Sequence, residues 1–143
     1  DEGCRLAVVA RRSALLEALA DEIAGLGRER PLVITQDITG EGAADAIRAA
    51  VEGRFGGLDI LVNNAGVSVF ADFIEQSIED IEWVLGINLW GVIYGCKFFL
   101  PHLRKEQEAH IVNISSSAGI FPLKRSAVDR FPQLLHREWQ ERL

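Results

Sequence analysis

Short apolar runs rich in Val, Ile and Leu alternate along the chain with longer stretches whose apolar residues recur at helical spacing. These longer stretches, 13–26, 43–55 and 77–103, have the periodicity of amphipathic helices. The alternation predicts an α/β fold with a parallel sheet, because parallel strands need crossover connections that are usually helical. The four runs that predict strands are Arg5–Ala10, Pro31–Gln36, Leu58–Asn63 and His110–Ile114.

Local signals mark where the predicted helices begin and end. We expect Ser13 to cap the first helix and Gly27 to follow its end in a left-handed conformation. Ser77 with Asp80 resembles a capping box, and Pro101 predicts two helices or a kink in the last stretch. The side chains expected to face inward are Leu15, Leu16, Leu19, Ile23 and Leu26 in the first helix, and Ala44, Ile47, Ala50, Val51 and Phe55 in the second.

Composition and charge exclude several classes of function. The chain has 143 residues and a formal net charge of −6, which gives no electrostatic footprint for nucleic acid or an anionic membrane. Its longest apolar stretch, Leu89–Leu103, is interrupted by Lys97 and His102, so we expect no membrane span. Cys4 and Cys96 are too few for a disulfide framework or a zinc site, which favours a reduced, cytoplasmic setting.

Polar and small residues follow two of the predicted strands. Asn63-Asn64-Ala65-Gly66 ends the third strand, at the edge of the sheet where ligands of open α/β folds bind. Taken alone, this tetrapeptide also fits a simple turn. Further along, Asn88 lies within Gly-Ile-Asn-Leu-Trp-Gly, and Ile111–Gly119 reads Ile-Val-Asn-Ile-Ser-Ser-Ser-Ala-Gly.

In this order, the three motifs resemble those of the short-chain dehydrogenase/reductase (SDR) family, over residues 1–123. The resemblance implies a doubly wound, Rossmann-like parallel sheet that binds NAD or NADP. It also implies an oxidoreductase that transfers hydride between a small carbonyl compound and its alcohol. A different Rossmann-like protein, such as a methyltransferase, is the weaker alternative because it does not account for the three motifs together.

The resemblance assigns cofactor contacts to two groups of residues. Asn64, Ala65 and Gly66 match the motif that lines the adenine-ribose side and stabilises the central sheet. Asp37 and Ile38 match the pair that contacts the adenine. Asp37 can equally form a helix-capping turn, and the two roles are compatible.

The resemblance also assigns two catalytic residues. Ser116 matches the serine whose hydroxyl donates to the substrate carbonyl oxygen, with Ser115 and Ser117 as less favoured neighbours. Asn88 matches the asparagine that helps hold a water in the proton relay. Since Asn88 lies on the apolar side of its helix, a purely structural amide that satisfies a helix kink is the alternative.

Arg11 and Arg12 follow the first predicted strand, where NAD-binding relatives carry an acidic residue. A carboxylate would repel the 2′-phosphate of NADP, whereas a guanidinium can bind it through two hydrogen bonds. We therefore predict that NADP is preferred, with Arg11 the better candidate because it follows the strand directly. The alternative is that one arginine is a solvated residue at the start of a helix.

Some expected motifs are missing from this sequence. It has no Met and no Gly-rich phosphate turn before the first predicted strand, so we expect an incomplete sheet without its first and C-terminal strands. The strands Leu6–Ala10 and Leu58–Asn63 then either pair directly or leave the chain unstable by itself. Asp129 and Gln133 stand where the family's Tyr and Lys are expected, so we predict no appreciable turnover by this chain.

The segment 124–143 forms a second region, since its net charge changes sign and Gly and Ala nearly vanish. It fits either an out-of-frame sequence or a replacement helix over 134–143. If the chain is not catalytic, the alternative function is an SDR-like binding or oligomerisation module. Homo-oligomers would then form through Leu89–Leu103, where Trp90, Tyr94 and Phe98 supply aromatic contacts.

Overall fold

The computed structural model describes residues 3–116. The predictions for Ser117, Gly119, Asp129, Gln133 and 124–143 therefore lie outside the described residues. Within the described part, the chain forms two compact units. One comprises residues 3–59 with Phe98–Ala109, and the other comprises Ile60–Lys97 with residues 110–116.

The first unit is built from two strand–helix pairs. Strands β1 (Ala7–Ala10) and β2 (Leu32–Thr35) are parallel, with Ala7 opposite Leu32. Helix α1 (Ser13–Gly25) follows β1, and helix α2 (Ala43–Phe55) follows β2. The buried apolar residues of this unit are Leu16, Ala20, Ala43, Ile47, Val51, Phe99 and Leu103.

The second unit contains another parallel pair, β3 (Ile60–Asn63) and β4 (His110–Asn113). A 3₁₀ turn (Phe73–Glu75) and helix α3 (Ile78–Leu85) follow β3. A π-helical segment (Gly86–Trp90) then leads into helix α4 (Gly91–Leu103), whose last residues belong to the first unit. The buried apolar residues of the second unit are Val84, Ile87 and Val92.

The four strands thus form two parallel sheets of two strands each. The described part is an incomplete Rossmann-like fold, as the sequence predicts. In the two sheets, β1 is paired with β2 and β3 with β4. Neither sheet contains the direct pairing of Leu6–Ala10 with Leu58–Asn63.

Two helix boundaries differ from the sequence prediction. Ser13 is the first residue of α1 and makes no capping bond, because the N-cap is Arg12 in an extended conformation. Pro101 lies inside α4 near its end, where the missing N–H costs only one helical hydrogen bond. The interruption of the 77–103 stretch lies instead at the π-helical segment.

The predicted roles of Gly27 after α1 and of Ser77 before α3 are confirmed. Gly27 has a φ of 76° and its N–H donates to the carbonyl of Ala24 at 2.9 Å. Ser77 Oγ accepts from the backbone N–H of Asp80 at 3.0 Å. These contacts satisfy backbone groups that a helix end otherwise leaves unpaired.

The inward faces of the helices are narrower than predicted. In α1 the buried residues are Leu16 and Ala20, one helical turn apart, while Leu15 and Leu19 are exposed. Each of these two leucines precedes a buried residue by one position, which rotates its side chain away from the core by about 100°. Leu26 is exposed beyond the end of α1.

The helical stretch Ile78–Leu103 is long and apolar. It has 26 residues, and an 18-residue window within it has a mean hydropathy of 1.4, which meets the length and composition of a membrane span despite Lys97 and His102. The interruption by these two residues therefore does not exclude a span. Core helices of water-soluble proteins have the same length and composition.

Candidate functional site

The Asn88 side chain binds both main-chain polar groups of Val67. Asn88 lies in the π-helical segment and only 4% of it is exposed. Its Nδ2 donates to the Val67 carbonyl at 2.8 Å, and its Oδ1 accepts from the Val67 N–H at 2.9 Å. The amide thus makes the two backbone hydrogen bonds that a neighbouring strand would otherwise make with Val67. Val67 directly follows Asn64-Ala65-Gly66.

Asn64, Ala65 and Gly66 are all exposed after β3. A Cβ at Gly66 would lie 3.7 Å from Asn88 Oδ1, an ordinary contact distance. The space around Gly66 therefore does not by itself require glycine. What the structure shows is an open backbone segment whose far end is held by Asn88.

A second amide network joins the ends of β3 and β4. Asn63 Nδ2 donates to Asn113 Oδ1 at 2.8 Å, and these two residues are opposite each other in the parallel pairing. Asn63 Nδ2 also lies 3.6 Å from Cys96 Sγ. Burial raises the pKa of the Cys96 thiol, and its contact with Asn63 partly opposes this effect.

Helix α4 approaches this network closely at Gly95. A Cβ at Gly95 would lie well inside 3.0 Å of Asn63 Oδ1, a separation that real Cβ atoms essentially never show. Sequence reasoning identified Asn63 but missed the roles of Asn113 and Gly95. The available signal was an asparagine near the end of both the third and the fourth predicted strands.

Ser116 belongs to the same unit as Asn88 and lies just beyond β4. The N–H of Ile114 donates to the Asn63 carbonyl at 2.9 Å, which extends the pairing of the two strands past Asn113. Ser115 and Ser116 are both exposed. Ser115 and Ser116 therefore follow the end of β4, where the pairing with β3 is still maintained.

In the first unit, Arg11 directly follows β1 and Arg12 precedes α1. Both side chains are exposed, and the strand ends in Ala10 rather than in a carboxylate. Ile38, the predicted adenine contact, is half-buried. Cationic side chains and a small residue thus stand together at the end of a parallel strand.

The Asp37 carboxylate closes a turn after β2. Asp37 Oδ1 accepts from the Thr39 N–H at 3.0 Å and from the Thr39 hydroxyl at 2.7 Å. These two bonds hold the pKa of Asp37 below its usual range, and the positive charge of Arg11 adds a smaller effect. Asp37 therefore closes a turn, but it does not cap α2 as expected, because the N-cap of α2 is Gly42 and no side chain bonds there.

This arrangement predicts how the Asp37 carboxyl titrates. We expect Thr39→Ala to raise the pKa of Asp37 towards its ordinary value, because that substitution removes the hydroxyl bond. Arg11→Ala should raise it less, since the charge of Arg11 contributes less than the bonds from Thr39. Because the folded pKa is lowered, the turn is stabilised above the unfolded value of about 3.9 and loses this support as pH falls.

Carboxyl-carbon NMR titration of the wild type and the two variants measures this order directly. A larger shift for Arg11→Ala than for Thr39→Ala would contradict the ranking of the Thr39 hydroxyl bond above the charge of Arg11.

Among residues 3–116, the structure has no cluster of three or more His, Cys, Asp or Glu side chains suited to a metal. Parallel strand pairs with helices, and exposed Asn, Gly and Ser after the ends of β3 and β4, define an α/β protein with a Rossmann-like fold. The chain belongs to the short-chain dehydrogenase family, because the family model described as "short chain dehydrogenase" matches residues 1–128.

Curated relatives agree with this membership. An Arabidopsis thaliana protein named 11-beta-hydroxysteroid dehydrogenase-like 2 is 39% identical over 131 residues, which cover 89% of this chain and 41% of the relative. The CLA biosynthesis dehydrogenase/reductase of Lactiplantibacillus plantarum is 34% identical, over 84% of this chain and 42% of the relative. The chain thus spans somewhat under half the length of these relatives.

Solved structures share the fold. A Burkholderia phymatum short-chain dehydrogenase/reductase in complex with NAD has a TM-score of 0.90 and 28% identity, covering 96% of this chain and 49% of that one. A serine dehydrogenase complexed with NADP+ has a TM-score of 0.86 and 27% identity, covering 96% and 54%. Neighbours of this fold therefore include complexes with each of the two nucleotides.

Proposed function

We propose that the whole protein is an NADP-dependent short-chain oxidoreductase that interconverts a small carbonyl compound and its alcohol. The observation that carries the NADP preference is the exposed Arg11 directly after β1, with Ala10 where an NAD-preferring site has a carboxylate. A guanidinium at this point attracts a 2′-phosphate, whereas a ribose 2′-hydroxyl gains little from it.

The residues present fit the adenosine end of this cofactor. Arg11 and Arg12 are exposed, so their guanidinium groups are accessible to a phosphate. The Asp37 turn is closed by Thr39 and includes the half-buried Ile38. Its backbone polar groups suit the edge of an adenine ring, and the Ile38 side chain suits its face. When bound, the cofactor supplies the hydride.

In the second unit, the proposed roles fall to Ser116 and Asn88. The Ser116 hydroxyl donates to the carbonyl oxygen as negative charge develops there. Asn88 uses one N–H and one lone pair on Val67, which leaves a second N–H and a second lone pair for a water. Asn88 thus orders the loop and retains capacity for the proton relay.

We also propose that this chain by itself does not turn over. Asp129 and Gln133 occupy the positions of the family's acid/base Tyr and its Lys. A carboxyl whose ordinary pKa is about 3.9 is ionised at neutral pH and repels a developing alkoxide, while a phenol with a pKa of about 10 can donate its proton. Tyr94, the one tyrosine in the sequence, lies in α4 and stacks on Trp90.

We expect Arg11→Ala to weaken binding of 2′,5′-ADP at least about tenfold, since a hydrogen bond to a charged group contributes about 1.5–3 kcal/mol. Binding of 5′-AMP, which lacks the 2′-phosphate, should change little. Calorimetric titration of the chain with both nucleotides measures the two effects. Arg104→Ala, at another exposed arginine of the same unit, is the matched control.

Equal losses for both nucleotides in Arg11→Ala would contradict the 2′-phosphate role. Binding of neither nucleotide by the wild type would contradict an adenosine site in this chain.

A non-catalytic binding or oligomerisation module is the second candidate function. The exposed Trp90 and Tyr94 rings, with centroids 5.7 Å apart, favour it because stacked aromatic side chains are typical of interface centres. This candidate predicts no 2′-phosphate preference.

The cytoplasmic location stays a prediction.

A further inference from the structure

The Asp37 carboxylate accepts two hydrogen bonds on the same oxygen. Oδ1 accepts from the Thr39 hydroxyl at 2.7 Å and from the Thr39 N–H at 3.0 Å. A carboxylate oxygen has two lone pairs, so Thr39 uses the full accepting capacity of Oδ1. Within residues 3–116, Oδ2 makes no hydrogen bond, and the Asp37 side chain is exposed. Oδ2 is therefore the oxygen that a ligand can reach.

The backbone around Asp37 is held by further hydrogen bonds. The Asp37 carbonyl accepts from the Gly40 N–H at 3.1 Å, so the turn is closed through the main chain as well. The Gln36 N–H donates to the Ala10 carbonyl at 3.0 Å, which continues the pairing of β1 and β2 up to the residue before Asp37. The carboxylate is thus fixed just beyond the carboxyl end of β2, at the edge where ligands of open α/β sheets bind.

Thr39 determines which atom the Asp37 side chain offers at this edge. The terminal torsion of an aspartate is broad, so an unrestrained carboxylate would present either oxygen in many orientations. The bonds from the Thr39 N–H and hydroxyl also lower the pKa of Asp37, so the group is ionised at neutral pH and can only accept. A charged acceptor in one orientation binds an N–H donor strongly and disfavours a second acceptor such as a carbonyl oxygen.

We propose that Thr39 is a positioning residue of the adenosine site: it directs Oδ2 of Asp37 to the exocyclic amino group of adenine and thereby selects the base. This inference rests on the proposed function, in which Asp37 contacts the adenine. Adenine carries an amino group at C6, whereas hypoxanthine and guanine carry a carbonyl oxygen there. The site therefore accepts adenine nucleotides and rejects 6-oxopurine nucleotides, a selectivity that the contact of Arg11 with a 2′-phosphate does not supply.

Binding of 5′-AMP and 5′-IMP to the 143-residue chain tests this base selectivity. The two nucleotides share the ribose and the phosphate and differ only at C6 and the adjoining N1. At pH 7 we expect 5′-AMP to bind at least about tenfold more tightly, because it gains one charge-assisted hydrogen bond. The carboxyl-carbon NMR resonance of Asp37 should shift with 5′-AMP and change little with 5′-IMP.

Substitutions at Thr39 separate positioning from a merely structural role. Thr39→Val removes the hydroxyl bond and keeps the shape of the side chain. It should weaken 5′-AMP binding about threefold and leave 5′-IMP binding unchanged, because the carboxylate must then be ordered during binding. Thr39→Ser keeps the hydroxyl and should restore the wild-type affinity. Thr35→Val, the same change at another exposed threonine of the same unit, is the matched control.

Asp37→Asn tests the orientation of the side chain directly. The introduced amide oxygen can keep both bonds from Thr39, which places the amide nitrogen where Oδ2 stood. A donor at that place suits the carbonyl oxygen of hypoxanthine, so we expect the preference to reverse in favour of 5′-IMP. The reversal should be weaker when Asp37→Asn is combined with Thr39→Val, because the amide is then held by one bond only.

Equal binding of 5′-AMP and 5′-IMP by the wild type would overturn the inference. Equal weakening of both nucleotides by Thr39→Val, or no recovery in Thr39→Ser, would overturn it as well, since Thr39 would then act on folding alone. A parallel titration with 2′,5′-ADP separates the two proposals. Preference for 2′,5′-ADP without base selectivity removes this inference alone. Base selectivity without that preference contradicts the NADP preference alone, and binding of none of the three nucleotides contradicts both.

Discussion

Replacing Asn88 by Asp should lower the free energy of unfolding by about 3 kcal/mol at pH 7. The Asn88 amide donates to the Val67 carbonyl and accepts from the Val67 N–H in a site that is 4% exposed. A carboxylate of the same shape keeps the accepting role but points a second acceptor, with charge, at the carbonyl oxygen. Buried groups left without a partner cost about 1–3 kcal/mol, and more when they are charged.

The cost of Asn88→Asp should depend on pH. Burial and the facing carbonyl disfavour the charged form, so the pKa of the introduced carboxyl is raised in the folded state. Below the unfolded value of about 3.9 the protonated acid can donate to Val67, and most of the lost stability returns. As pH rises through the folded pKa, that stability is lost.

Urea denaturation at several pH values, with hydrogen exchange of the Val67 amide, measures this effect. Asn64→Asp is the matched control, because it adds the same charge at an exposed asparagine in the same unit and should change stability by less than about 0.5 kcal/mol. A deficit that is the same at pH 3 and pH 7 would show that the Val67 contact is not its cause.

Gly95→Ala should destabilise the chain by about 2 kcal/mol, although alanine favours helices over glycine. The new Cβ would overlap Asn63 Oδ1, so the amide bonded to Asn113 must move or α4 must shift. Overpacking of this kind costs about 1–3 kcal/mol. Gly53→Ala in α2 is the control, because no atom lies within 4 Å of its Cβ, and it should stabilise by about 0.5–1 kcal/mol.

A double-mutant cycle identifies Asn63 as the cause. In an Asn63→Ala background the obstructing amide is gone, so the cost of Gly95→Ala should fall by at least about 1 kcal/mol. Denaturation of the four proteins in the cycle provides the coupling energy. Additive costs would contradict the close approach of α4 to the end of β3.

The sequence predicts elements best where their signals are local. Helix α2 has the predicted bounds, Ala43–Phe55, because glycines with positive φ flank an alanine-rich stretch on both sides. The stretch does contain two helices, α3 and α4, but Pro101 is not the boundary between them, since a proline signal does not show whether it falls in the last turn of a helix. Ser13 misled the prediction, because the chain enters α1 one residue earlier, at Arg12.

The site contains contacts that no local pattern specifies. Asn63 and Asn113 are 50 residues apart, and only the parallel register of β3 and β4 makes them neighbours. Asn88 is identified by its family motif, but its bond to Val67 depends on how the π-helical segment faces the loop. The closeness of Gly95 to Asn63 likewise follows from packing.

We propose that this chain of the short-chain dehydrogenase family forms an adenosine site that prefers the 2′-phosphate. The most direct test is calorimetric titration of the wild-type chain with 2′,5′-ADP and with 5′-AMP under identical conditions. One charge-assisted bond to the added phosphate predicts at least about tenfold tighter binding of 2′,5′-ADP. Equal affinity for the two nucleotides, or tighter binding of 5′-AMP, would contradict the account.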